Sequence, residues 1–217
     1  MLPMIDVRLK KDGGVRLQHI FKQGDEEKPI MLLLHGTGGT EKDLIPLAEE
    51  IDSTASVLSV RGNVLEQGMP RFFRRLAEGV FDEEDLLFRT KELNQFIDQM
   101  AEKHEFNRRN VVAIGYSNGA NIASSLLFHY QDALKGAILL HPMVPRRGVD
   151  LPNLQDVPIF IGAGKNDPLC PAQETKELAA MFTKANANVH VHWEDDGHQL
   201  TRKEMGAAKD WYLKNFA

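Results

Sequence analysis

Apolar positions along this chain follow two alternating rhythms. Short runs rich in aliphatic and β-branched side chains stand at Ile30–Leu34, Ser56–Val60, Val111–Tyr116, Ala137–Leu140, Pro158–Gly162 and Val189–Trp193. Each has the length of a buried strand and is bounded by polar or turn-forming residues. Between the runs, apolar residues recur with helical spacing. Leu86, Leu93, Phe96, Ile97 and Met100 mark one buried face of a helix. Leu178, Met181 and Phe182 do the same for a helix that begins after Pro171, and Trp211, Tyr212 and Phe216 anchor one near the C-terminus. Strands alternating with helices imply right-handed βαβ units and a mostly parallel central sheet with helices on both faces. The segment Asp6–Gln23, with Gly13-Gly14 as a turn, predicts an antiparallel hairpin at the sheet edge.

The rhythm breaks between Arg61 and Glu84. This stretch follows a predicted strand and carries Gly62, Gly68, Pro70 and Gly79, the pair Phe72-Phe73, and the arginines Arg61, Arg71, Arg74 and Arg75. Ligands of open α/β sheets bind beyond the carboxyl ends of the strands, so a long loop leaving that edge is a candidate wall for a site. The plainer alternative is a surface excursion with a short helix.

Composition narrows the class. At 217 residues the chain fits one domain spanning 1–217, with a single well-buried core and no room for a large cap. A net charge of -5 argues against a nucleic-acid surface or a general membrane-binding surface. No apolar run approaches the roughly 18–20 residues that cross a bilayer. The N-terminus meets Asp6 too early for a signal peptide, and Cys170 is the single cysteine, so a cytoplasmic location is expected.

Candidate chemistry centres on Gly115-Tyr116-Ser117-Asn118-Gly119, between a predicted strand and a helix-like stretch. Gly-x-Ser-x-Gly in that context is the nucleophile elbow of an α/β-hydrolase, a sharp turn that lifts the serine hydroxyl above the sheet edge. Serine needs a base, and the base needs a carboxylate to orient it. Asp167, in Asn166-Asp167-Pro168, and His198, in Gly197-His198-Gln199, follow in the order serine, acid, histidine, each after a predicted strand. Singly, each is more often a turn residue or a solvated side chain; jointly, their order and strand positions point to catalysis. Asp195 and Asp196 compete with Asp167 but sit too close to His198 in sequence, and read as loop solvation. His190 and His192 alternate on one strand face, yet with His198 they lack the spacing of a metal site, so no metal is expected. Cys170 has no elbow around it and reads as packed and inert.

An attacked ester carbonyl becomes an oxyanion that needs preorganised N–H donors. The amides of Asn118, at the helix start, and Thr37, in His35-Gly36-Thr37-Gly38-Gly39, are the candidates. That Gly-rich loop lacks the Lys-Ser/Thr ending of a phosphate-binding loop, so no nucleotide cofactor is expected.

Together, Leu34-His35-Gly36-Thr37-Gly38-Gly39, Gly115-Tyr116-Ser117-Asn118-Gly119, Asp167-Pro168 and Gly197-His198 resemble the phospholipase/carboxylesterase family, small α/β-hydrolases related to acyl-protein thioesterases and bacterial carboxylesterases. The resemblance covers nearly the whole chain. It implies the α/β-hydrolase fold, a Ser117–Asp167–His198 triad, an oxyanion hole at Thr37 and Asn118, and no cofactor. Asn118 stands where acyl-protein thioesterases usually carry Gln, and the Arg-rich loop replaces their more apolar acyl-binding segment. A serine carboxylesterase acting on small or short-chain esters is therefore expected, with a thioesterase or lysophospholipase as the alternative. A catalytically idle receptor on the same fold is the alternative of another class. Phe72 and Phe73 are expected to line an acyl or aryl pocket, and Arg74, or Arg71 or Arg75, to meet an anionic group. Against this, the arginines pair equally well with Glu78, Asp82, Glu83, Glu84 and Asp85 as a surface network. The expected partner is a small-molecule ester, with edge strands or helices leaving room for a homodimer.

Overall fold

The computed structural model describes residues 14–217. In chain order the strands are β1 (His19–Lys22), β2 (Ile30–Leu34), β3 (Val57–Val60), β4 (Val64–Glu66), β5 (Met69–Arg71), β6 (Arg75–Ala77), β7 (Val80–Phe81), β8 (Val111–Tyr116), β9 (Gly136–Leu140), β10 (Pro158–Gly164) and β11 (Asn188–Glu194). The helices are α1 (Ile45–Asp52), α2 (Glu83–His104), α3 (Asn118–His129), α4 (Ala172–Lys184) and α5 (Arg202–Phe216). Seven strands form the main sheet in the order β1-β3-β2-β8-β9-β10-β11. All its pairings are parallel except that of β1, which runs antiparallel to β3 with His19 opposite Val60.

The six expected strands all form at the expected places. Their apolar runs are continuous because both faces are covered: Ile30-Met31-Leu32-Leu33-Leu34 is buried throughout. Alternation divides the run between two cores. Leu32 and Leu34 join α2, α3 and α4 on one side, while Met31 and Leu33 join α1 and α5 on the other. The helical face read from Leu86, Leu93, Phe96, Ile97 and Met100 is buried along α2. Asp82 caps that helix by accepting from the Asp85 amide, and Glu83, Glu84 and Asp85 fill its first turn, where the dipole favours acids. Tyr212 is fully buried on α5, as the C-terminal anchor requires.

The hairpin expected over Asp6–Gln23 falls in part on residues 6–13, which lie outside the described residues; its described part includes β1, which pairs antiparallel with β3 at the sheet edge. Between β3 and α2 there is no short helix but two small antiparallel ribbons, β4-β5 and β6-β7. Among the described residues there is no large cap, and no helix is long and apolar enough to cross a membrane.

Candidate active site

The sheet order reverses between β2 and β8: the chain moves from β2 to β3 on one side, then returns to place β8 on the other. Such a switch point opens a crevice at the carboxyl ends of the strands. Ser117 stands there, just after β8, with φ 50° and ψ −114°. Its amide donates to the Leu140 carbonyl at 2.8 Å, and its own carbonyl accepts from Asn121 at 3.0 Å as α3 begins. The flanking glycines are steric necessities. A Cβ at Gly115 would lie 2.6 Å from the Gly119 carbonyl oxygen, and one at Gly119 would overlap the Leu34 carbonyl. Only bare backbone lets α3 approach β2 and β8 this closely.

His198 arrives on the loop after β11 and Asp167 on the loop after β10. His198 Nε2 lies 2.9 Å from Ser117 Oγ, and its Nδ1 lies 2.7 Å from Asp167 Oδ2. A carboxylate oxygen only accepts, so Nδ1 carries the proton and Nε2 offers its lone pair to the hydroxyl. Asp167 Oδ1 accepts from the Leu169 and Cys170 amides at 2.8 and 2.9 Å. Burial works to raise the Asp167 pKa, but the Cys170 amide, His198 and the Leu169 amide outweigh it and hold the carboxyl below its ordinary value. Tyr116 ties the His198 loop to the elbow by donating its hydroxyl to the His198 carbonyl at 2.8 Å. Burial, with the charges of Asp167 and Glu204 behind it, pushes that phenol up to about 12, so it remains a donor.

The Gly-rich loop after β2 is braced from within. His35 Nδ1 donates to the Gly36 carbonyl at 2.6 Å, and Nε2 accepts from the Gly62 amide at 3.0 Å. Chiefly through burial, the His35 pKa falls below its ordinary value, which suits this neutral tautomer. The ribbons are stapled to the same loop. Arg71 Nη1 donates to Thr37 Oγ1 at 2.6 Å, the Gly38 amide donates to the Pro70 carbonyl at 2.9 Å, and the Phe72 amide donates to Asn118 Oδ1 at 2.7 Å.

These elements enclose a cavity of about 340 Å³, lined by Ser117, His198, Thr37 and Asn118 together with Arg71, Arg75, Phe81, Met143 and Leu169. The loop from Arg61 to Glu84 is thus a wall of the site, but its lining differs from expectation. Phe72 and Phe73 do not line the cavity: both are buried in the core beneath the ribbons, Phe72 against His35 and Phe73 against Phe81. Arg74 turns outward, 62% exposed, and pairs with Asp82 at 2.8 Å. The aromatic surface is supplied by Phe81 and Tyr116, and the guanidiniums by Arg71 and Arg75. Both pair with a single carboxylate, Glu66, Arg71 at 3.3 Å and Arg75 at 2.7 Å. The exposed Glu78 lines the cavity as well.

Other candidates resolve simply. Asp195 pairs with Lys165 at 2.7 Å on the surface. Cys170 is buried, and burial, followed by the Asp167 and Glu174 charges, pushes its thiol well above the ordinary range. His190 and His192 stack near Phe160 on β11, and His192 meets Glu194. Among the described residues, the group whose ligand atoms do come within 4.8 Å of one another is His141, Asp167 and His198. A metal there would have to displace both ring N–H donors from Asp167 Oδ2. Sequence reasoning missed His141 and its second partner, Glu204; the available signals were a histidine at the carboxyl end of β9 and an acid in a Thr-x-x-Glu helix start.

A reversed-order parallel sheet with a strained serine elbow at its switch point defines an α/β-hydrolase. Residues 16–215 match the phospholipase/carboxylesterase family, and the chain belongs to it. It is 58% identical over 196 residues to MhqD of Bacillus subtilis (strain 168), covering 90% of this chain and 98% of that protein. The crystal structure of the Bacillus cereus carboxylesterase superposes with a TM-score of 0.91 at 66% identity, over 92% of this chain and 95% of that one. The structure of YahD with malic acid superposes with a TM-score of 0.89 at 32% identity, over 92% and 100% of the two chains.

Proposed function

We propose that this chain is a serine carboxylesterase that cleaves short-chain carboxylic esters through an acyl-enzyme on Ser117. The observation that carries this reading is the hydrogen-bonded run from Ser117 Oγ through His198 to Asp167, opening onto the cavity. Ser117 Oγ attacks the ester carbonyl while His198 Nε2 takes its proton, and Asp167 holds the Nδ1–H tautomer and stabilises the imidazolium. The oxyanion is received by the Thr37 and Asn118 amides. Of the loop amides, those of Gly38 and Gly39 are committed to Pro70 and Gly36, while Thr37 borders the cavity. The carbonyl reforms, the alcohol leaves with the proton from His198, and water repeats the cycle on the acyl-enzyme.

A cavity of about 340 Å³ is at the small end for a ligand site, which favours a short acyl chain. Hydrolysis of p-nitrophenyl esters from acetate to palmitate should peak at short chains and vanish in Ser117→Ala, with a fluorophosphonate labelling Ser117 in the parent. A long-chain optimum would instead favour a thioesterase or lysophospholipase. No turnover and no label would favour an idle receptor.

The two guanidiniums that share Glu66 support an ester bearing a carboxylate, and the malic acid held by YahD is consistent with such a ligand. Arg71 also braces Thr37 and the Phe73 carbonyl, so Arg75 is the cleaner probe. Arg75→Met should raise KM for a hemisuccinate ester about tenfold while leaving a neutral ester of the same size nearly unchanged. Equal small effects on both substrates would reject the anionic pocket.

A further inference from the structure

Behind Asp167 lies a second imidazole that the acyl-transfer steps do not use. His141 follows β9, and its Nδ1 lies 3.0 Å from Asp167 Oδ2, the same oxygen that faces His198. On the far side, His141 Nε2 lies 3.3 Å from Glu204 Oε2. The three side chains are 1%, 1% and 0% exposed for His141, Asp167 and Glu204. Because a carboxylate oxygen only accepts, Asp167 demands an N–H from His141 Nδ1. Nε2 then faces a second carboxylate, and a bare lone pair there would be repelled. A proton on Nε2 removes the conflict and makes the ring an imidazolium between two acids. Burial opposes that charge, but the hydrogen bonds and charges of Glu204 and Asp167 outweigh it and raise the His141 pKa above its ordinary value.

The surroundings fit this arrangement. Glu204 lies in the first turn of α5, where the helix dipole favours a carboxylate. A Cβ at Gly162 would collide with that carboxylate, so glycine makes its room. His141 takes a positive φ of 52°, and the Cys170 thiol donates to its carbonyl at 3.2 Å.

We propose that His141, clamped between Glu204 and Asp167, is a positioning residue that acts through the Asp167 carboxylate to set the basicity of His198. This rests on the reading of His198 as the base. The His141 and His198 rings are 5.2 Å apart. The His141–Glu204 pair is a dipole whose positive end faces Asp167 and His198. It competes for the oxygen that would stabilise the His198 imidazolium, and so weakens the hold of Asp167 on the His198 ring. The other titratable groups facing the two rings are Tyr116 and Cys170, with Arg71 and Arg75 across the cavity. Mainly through burial, Tyr116 and Cys170 are both shifted upward and stay uncharged near neutrality.

The test is the pH profile of kcat/KM on p-nitrophenyl acetate for the double variant His141→Asn, Glu204→Gln. Asparagine keeps an amide donor near Asp167 and tolerates the positive φ, and glutamine leaves no buried charge behind. The acidic limb reports the free base, and it should move up by about one pH unit, with the plateau rate within about tenfold of the parent. A limb that stays within about 0.2 unit of the parent would overturn this role and leave His141 as packing alone. If the double variant does not fold, the unaltered protein decides through a ring-nitrogen spectrum of its eight histidines. One ring should keep its second proton to higher pH than an ordinary histidine does, and a spectrum in which no ring does so would overturn the role as well. Ser117→Ala, run in parallel, separates the two failures. Full activity there removes the serine–histidine reading itself, whereas an inactive Ser117→Ala beside an unmoved limb removes only the role of His141.

Discussion

Ser117→Ala is expected to lower kcat on p-nitrophenyl acetate about a thousandfold to a millionfold, with KM changed little. The side chain removed is one oxygen at a cavity mouth, so no core contact is lost. Alanine also keeps the elbow backbone, whose φ of 50° is imposed by α3 packing against β2 and β8 and not by the hydroxyl. On the proposed mechanism, what disappears is the covalent route and the proton transfer to His198 Nε2 over 2.9 Å. The cavity would still bind an ester and still offer its backbone amides, so a residual rate above that of water alone should persist. A loss smaller than about tenfold would mean that the nucleophile is another group.

The second large effect is on stability. Gly119→Ala should destabilise the protein by about 3 kcal/mol or more, lowering Tm by roughly 6–12 °C. The added Cβ would overlap the carbonyl of Leu34, in the fully buried β2, and the carbonyl of His35 beside it. Neither neighbour is a flexible side-chain tip, so relief requires α3 to lift off the sheet. Gly206→Ala is the matched control. Gly206 sits inside α5 with nothing within 4 Å of an added Cβ, so the same change should be neutral or stabilise by up to about 1 kcal/mol through helix propensity. Thermal melts of the two variants side by side check both. Equal melting temperatures would remove the steric explanation of the elbow glycines.

The parts of this molecule that were legible in the sequence are those whose physics is local. A buried parallel strand announces itself as an unbroken apolar run, as Ile30–Leu34 does, and α2 announces itself through the spacing of Leu86, Leu93, Phe96, Ile97 and Met100. Ser117, Asp167 and His198 were legible because each follows a strand that could be seen, and the topology brings those strand ends together. The ribbons were not legible. Met69-Pro70-Arg71 and Arg75-Leu76-Ala77 carry no clean alternation, and the ribbons are fastened by contacts to Thr37 and Asn118 that no short window contains. For the same reason Phe72 and Phe73 read as pocket residues. Adjacent aromatics on an irregular backbone do not reveal which way they point, and both turn into the core while Phe81 takes the wall. The contact of His141 with Glu204 spans 63 positions along the chain and joins two elements with no motif in common.

The stapling of the ribbons has a consequence for how substrate range can change in this architecture. Arg71 holds Thr37, Pro70 holds Gly38, and Phe72 holds Asn118, so the wall of the proposed ester site is fastened to both flanks of the position where the proposed oxyanion would form. On that reading, selectivity and turnover are not independent traits here. A sequence change that widens the wall would also loosen the proposed donors, and mutational paths toward bulkier esters would pass through slower enzymes unless residues 35–39 and 61–82 change together. For recombination or directed evolution, those two segments form one inheritable cassette.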